Sequence, residues 1–103
     1  MNVRQLLILS IGVLLAGNAL ADEAQLKKLG CFGCHTVDKK LVGPALKDIA
    51  AKYKGQPGIV DKLAKKVRTG GSGNWGNVPM APAPASVSDA DLKAAITYIL
   101  SLK

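Results

Sequence analysis

The sequence has little of what metal clusters, membrane spans and aromatic cores require. In 103 residues there is one histidine, His35, and there are two cysteines, Cys31 and Cys34. A structural zinc site takes four Cys or His ligands, so these three cannot complete one within a single chain. Aromatic residues make up 4% of the chain, namely Phe32, Tyr53, Trp75 and Tyr98, so rings supply little of the core. Acids are scarce, with 7 Asp and Glu against 14 Lys and Arg. The longest apolar run, Leu6 to Ala16, is 11 residues and includes Ser10. A spanning helix needs about 20. There is no internal repeat, no low-complexity tract and no clear β alternation.

What is present begins with an export signal. Arg4 precedes the apolar run, and Ala19-Leu20-Ala21 supplies the small residues that a signal peptidase reads. Residues 1–21 are expected to be a cleaved secretory signal peptide, with a short uncleaved anchor as the alternative. Residues 22–103 would then form one domain. No twin arginine precedes the run, so the chain would cross unfolded, and a bacterial periplasm is the expected destination. Removing residues 1–21 takes away only Arg4, leaving 13 basic residues against 7 acids, a formal +6. Such an excess suits an acidic or anionic partner. Nucleic acid is not expected, because no nucleic-acid motif is present.

The chain is organised around Cys31-Phe32-Gly33-Cys34-His35. Two cysteines three apart, followed at once by histidine, form the attachment signature of a c-type haem. Each sulfur adds to one vinyl group, and one turn of chain bridges the two. The histidine then falls under the iron as proximal ligand. A redox disulfide would sit at a strand-to-helix junction, and no such strand pattern is found. Half a zinc site or a buried structural pair would use the same two cysteines, and both are weaker readings than haem. An 82-residue domain is thermodynamically marginal, and a haem would fill the volume that few aromatics leave.

Hydrophobic spacing predicts four short helices. Asp22 to Gly30 carries Leu26 and Leu29 on one face, with Asp22 and Glu23 in its first turn. Gly30 permits either a close approach or a helix end. Pro44 to Tyr53 places proline at the first helical position, with Leu46, Ile49, Ala50 and Tyr53 as the apolar stripe. The Pro44 carbonyl is free to accept from the far nitrogen of a ligating histidine. Ile59 to Thr69 follows, with Ile59, Leu63 and Val67 on one face. Ser88 to Leu102 is capped by Ser88 and buries Leu92, Ala95, Ile96, Ile99 and Leu102. Residues 70–87 read as a loop stiffened by Pro79, Pro82 and Pro84.

His35 is the sole histidine, so two histidines of one chain cannot share the iron. After processing Met80 is the sole methionine, and it sits at the centre of the stiffened loop. His/Met ligation marks electron-carrying cytochromes. Lysine ligation, an open site, and a methionine that simply covers core compete with it. An enzymatic haem would need acid–base groups nearby. Residues 74–87 contain no His, Arg, Lys, Asp or Glu, which speaks for a carrier and against an enzyme.

Residues 22–103 resemble the small bacterial class I cytochromes c that serve periplasmic oxidases and nitrite reductase. The resemblance rests on Cys31-Phe32-Gly33-Cys34-His35, Val42-Gly43-Pro44-Ala45, Trp75-Gly76-Asn77-Val78-Pro79-Met80 and Tyr98-Ile99-Leu100-Ser101-Leu102-Lys103. It implies an all-α fold, four short helices wrapped around one covalently attached haem c. It implies thioethers at Cys31 and Cys34, axial ligands His35 and Met80, the Pro44 carbonyl on the proximal imidazole, and the Trp75 N–H near a propionate. It also implies Leu26 and Gly30 packed against Tyr98. The expected function is one-electron transfer by a soluble monomer. The donor would be a redox protein such as a quinol-oxidising cytochrome complex, and the acceptor one such as nitrite reductase or a terminal oxidase. Apolar Val78, Ala81, Pro82 and Ala83 would surround the haem edge, rimmed by Lys27, Lys28, Lys39, Lys40 and Lys66. One departure stands out. Related sequences often follow the methionine with Pro-Pro-Asn, whereas Ala81-Pro82-Ala83-Pro84 stands here with extra chain before the last helix.

Overall fold

The computed structural model describes residues 22–103; the expected signal segment, residues 1–21, lies outside the described residues. Four α-helices are described: α1 (Glu23–Lys28), α2 (Leu46–Tyr53), α3 (Ile59–Thr69) and α4 (Asp89–Leu100). A 3-10 turn spans Cys31–Gly33, and two short strands, β1 (Gly71–Gly73) and β2 (Gly76–Met80), lie between α3 and α4. No helix among the described residues is long and apolar enough to cross a membrane.

Three of the four helices start where a donor problem is solved. Asp22 lies just outside α1, not in its first turn, and its Oδ1 accepts the Gln25 N–H at 3.0 Å. Ser88 does the same for α4, accepting the Asp91 N–H at 3.1 Å. Helix α2 begins later than expected. Ala45 is its N-cap, so Pro44 stands two residues before the first helical residue, Leu46, rather than at that first position. The reason is long-range pairing. The Leu46 and Lys47 N–H groups donate to the carbonyls of Thr36 and Val37 at 2.9 and 3.1 Å. These bonds satisfy donors that a helix start leaves open, and they tie α2 to the segment after the cysteines.

The core is centred on Leu26, Leu46 and Ala95, from α1, α2 and α4. Leu29, Ile49, Tyr98, Ile99 and Leu102 pack against it. Helix α4 contacts both α2 and α3. Tyr98 packs against the cluster that contains Leu26. Gly30 takes no part in it: it is exposed, with nothing within 4 Å of where a Cβ would stand. Its φ of 86° turns the chain out of α1, so it ends the helix and admits no close crossing. Among the described residues nine hydrophobic side chains are buried, and four of them are alanines. Protein side chains alone thus make a thin core.

The expected loop at 70–87 contains a hairpin. Gly71 pairs with Met80 and Gly73 with Gly76, antiparallel, with an irregularity between the two pairs. Gly71, Gly73 and Gly76 all hold positive φ, at 111°, 117° and 100°, which side chains rarely tolerate. Both strands are exposed and neither has a further neighbour, so Pro79 costs no interior ladder bond.

Candidate haem-binding site

The cysteine motif is wound into one turn by a shared acceptor. The Cys31 carbonyl receives the N–H of both Cys34 and His35, at 3.2 and 3.0 Å. The turn is then anchored from outside, where the Gly43 N–H donates to the Cys34 carbonyl at 2.8 Å. Cys31 is half-buried, Cys34 is exposed, and the two are not joined by a disulfide. Burial pushes the Cys31 thiol above its ordinary pKa, partly offset by a backbone hydrogen bond.

The imidazole is fixed on two sides. His35 Nδ1–H donates to the Pro44 carbonyl at 2.7 Å. A carbonyl can only accept, so the neutral ring carries its proton on Nδ1 and presents the Nε2 lone pair elsewhere. Gly43 lies flat against the ring. A Cβ there would stand 2.5 Å from Cε1 and 2.9 Å from Nδ1. The Val-Gly-Pro stretch therefore supplies both the space for the ring and the acceptor that orients it.

Cys31, Cys34 and His35 line a mostly apolar cavity of about 310 Å³. Val42, Pro44, Trp75, Val78 and Met80 line the same cavity, as do Leu46, Ile49 and Ile96 of the helices. Val42, Trp75, Val78 and Met80 are 49%, 42%, 57% and 36% exposed, although all are large and apolar. A soluble surface rarely gathers such a group unless something covers it. A flat, largely apolar macrocycle held by two sulfurs and one imidazole fits that lining. Among the described residues no three His, Cys, Asp or Glu side chains gather to hold a metal ion.

Cys31, Cys34, His35, Pro44, Trp75 and Met80 all line this one cavity; of the apolar residues expected around the haem edge Val78 lines it, while Ala81, Pro82 and Ala83 do not. Of the expected basic rim, Lys40 and Lys66 line it too, while Lys27, Lys28 and Lys39 are exposed elsewhere on the surface. Two contributors went unread in the sequence. Lys52 donates to the Asn74 carbonyl at 3.0 Å and lies 4.5 Å over the Trp75 ring, so it holds the hairpin tip by both. Gly70, at φ 70°, lets the chain after Met80 cross the end of α3. A Cβ there would stand 2.5 Å from the Met80 carbonyl oxygen. Glycine at a helix end was visible in the sequence; what it packs against was not.

Comparison with known proteins agrees with this geometry. The family model described as Cytochrome c matches residues 15–103. Cytochrome c-551 of Allochromatium vinosum is 53% identical over 87 residues, covering 84% of this chain and 92% of that protein. Cytochrome c-552 of Nitrosomonas europaea is 52% identical over 91 residues, covering 88% of this chain and 87% of that protein. The crystal structure of wild-type Nitrosomonas europaea cytochrome c552 superimposes with a TM-score of 0.73, covering 80% of this chain and all of that one at 51% identity. The cofactor is accordingly haem c, attached covalently through Cys31 and Cys34. Motif, cavity and relatives converge on one conclusion: the chain belongs to the cytochrome c family, among its small bacterial class I members.

Proposed function

We propose that the protein is a diffusible one-electron carrier of the bacterial periplasm, with His35 and Met80 as the axial ligands of its haem. The haem supplies reversible one-electron chemistry at iron. The chain's own residues decide that nothing else happens there. His35 is held by Pro44 with Nε2 free, and Met80 offers a thioether to the same cavity. This sharing of one cavity is the observation that carries the proposal. Two protein ligands leave no place for substrate, and residues 74–87 bring no acid or base that could assist one. The Trp75 indole N–H serves a propionate.

Residues 1–21 direct export and are removed after Ala21. The carrier works as a monomer between a donor such as a quinol-oxidising complex and an acceptor such as nitrite reductase or a terminal oxidase. Its basic excess favours acidic partners. The test is the visible spectrum of both oxidation states with carbon monoxide added to the reduced form. A carrier shows low-spin bands that carbon monoxide leaves unchanged. Ready binding of carbon monoxide would favour a ligand-binding haem over this reading.

A further inference from the structure

Arg68 makes contacts that neither the core nor the cofactor accounts for. It lies in the last turn of α3. Its guanidinium donates to the Pro84 carbonyl at 2.9 Å, to the Val87 carbonyl, and to Asp89 Oδ1 at 2.8 Å. These acceptors lie at three points along the chain that leads from Met80 into α4. One residue earlier, the Val67 carbonyl accepts the Ala83 N–H at 2.9 Å. The C-terminal end of α3 thus fastens the chain after Met80 at residues 83, 84, 87 and 89.

That chain has little else to hold it. From residue 81 to residue 88 it forms neither helix nor strand, and only Ala83 and Val87 are even half-buried. It is also the stretch that carries Ala81-Pro82-Ala83-Pro84. A weakly buried loop swings more easily unless it is tied. Asp89 is 80% exposed, so its ion pair with Arg68 contributes little. The two carbonyls matter more. Arginine's planar fork reaches both at once, which a lysine ammonium on its flexible stem matches poorly.

We propose that Arg68 is a positioning residue that keeps Met80 on the iron. It acts through the loop, holding the downstream leg against α3 so that the thioether cannot swing away. The proposal rests on the reading of Met80 as axial ligand. The loop must part from α3 before Met80 can leave, and Arg68 opposes that parting.

The test follows imidazole uptake by the ferric holoprotein, since an outside ligand enters only after Met80 has left. Arg68→Leu should speed uptake about tenfold, as expected for losing charge-assisted hydrogen bonds. Arg68→Lys should fall between it and the unaltered protein, and carries the test alone if Arg68→Leu does not assemble. Asp89→Asn should change uptake by less than about twofold. Ile59→Val, which loosens the far end of α3, should lower the melting temperature without speeding uptake. Uptake unchanged in both Arg68 variants, or raised as much by Ile59→Val at equal loss of melting temperature, overturns the proposal. The far-red sulfur–iron band of the unaltered protein separates the two ideas. If it is absent, the Met80 reading fails and Arg68 has nothing to position; if it is present with unchanged uptake, the Arg68 proposal alone fails.

Discussion

Gly43 and Gly33 flank the same imidazole in sequence and meet opposite demands. A methyl group on Gly43 would collide with the His35 ring, whereas one on Gly33 would meet nothing within 4 Å. Neither holds a positive φ, so backbone strain does not enter the comparison. Gly43→Ala should therefore destabilise the holoprotein by about 1–3 kcal/mol, the usual cost of overpacking, and shift its reduction potential. Gly33→Ala should do neither, as thermal melts and voltammetry of the two variants would show side by side. At this scale the sequence was readable where chemistry sets a fixed local spacing. Two thioethers and a ligand demand the Cys31–His35 pattern, and the Pro44 carbonyl could be anticipated as the partner of the far nitrogen. Lys52 and Arg68 could not be read, because their partners lie 22 residues away in one case and 16 to 21 in the other. A lysine among many lysines carries no local sign that it will find a carbonyl and an indole.

Helices declare themselves by period, and all four expected stripes face inward as read. Leu26 of α1, Leu46 and Ala50 of α2, Ile59 of α3, and Leu92, Ala95 and Ile96 of α4 are buried, and Leu63, Val67, Ile99 and Leu102 are half-buried. The β1–β2 hairpin gave no such sign, since three of its residues are positive-φ glycines and every strand position is exposed. Without an inward face there is no alternation to see. The start of α2 differs from its expected place by two residues because the carbonyls of Thr36 and Val37 decide it, and these lie outside the helix. The cap of α4 was legible, and it makes a clean test of an element. Ser88→Ala removes the acceptor of the Asp91 N–H and should cost about 1 kcal/mol of stability, read as a lower melting temperature. The haem spectrum should stay unchanged, because Ser88 does not line the cavity. A spectral change would mean that the cap also steadies the Met80 loop.

For the molecule as a whole, a bound haem would complete a core that the described side chains leave thin. Nine buried hydrophobics, four of them alanine, are few for a marginal 82-residue domain, while four large apolar residues on the cavity stay partly exposed. Cys31→Ala combined with Cys34→Ala, made without haem attachment, should be largely unfolded by circular dichroism. A cooperative melt near the holoprotein's midpoint would show that the protein core suffices alone. The molecule's charge bears on its partners. Lys39 and Lys40 are exposed and adjoin Leu41 and Val42, which are 50% and 49% exposed, so apolar and basic surface lie side by side. Electron transfer to an acidic partner should slow as salt rises, with screening over about 10 Å at 0.1 M. Lys39→Glu with Lys40→Glu should slow association and leave the spectrum intact; a rate indifferent to salt would point to apolar docking alone. Above these stands the claim that one thioether and one imidazole close the iron to everything but an electron. The far-red absorption of the ferric protein, compared with that of Met80→Ala, tests it most directly. A weak sulfur–iron band should be present and should vanish in Met80→Ala, together with new binding of outside ligands; an identical far-red spectrum in the two proteins would overturn the Met80 ligation.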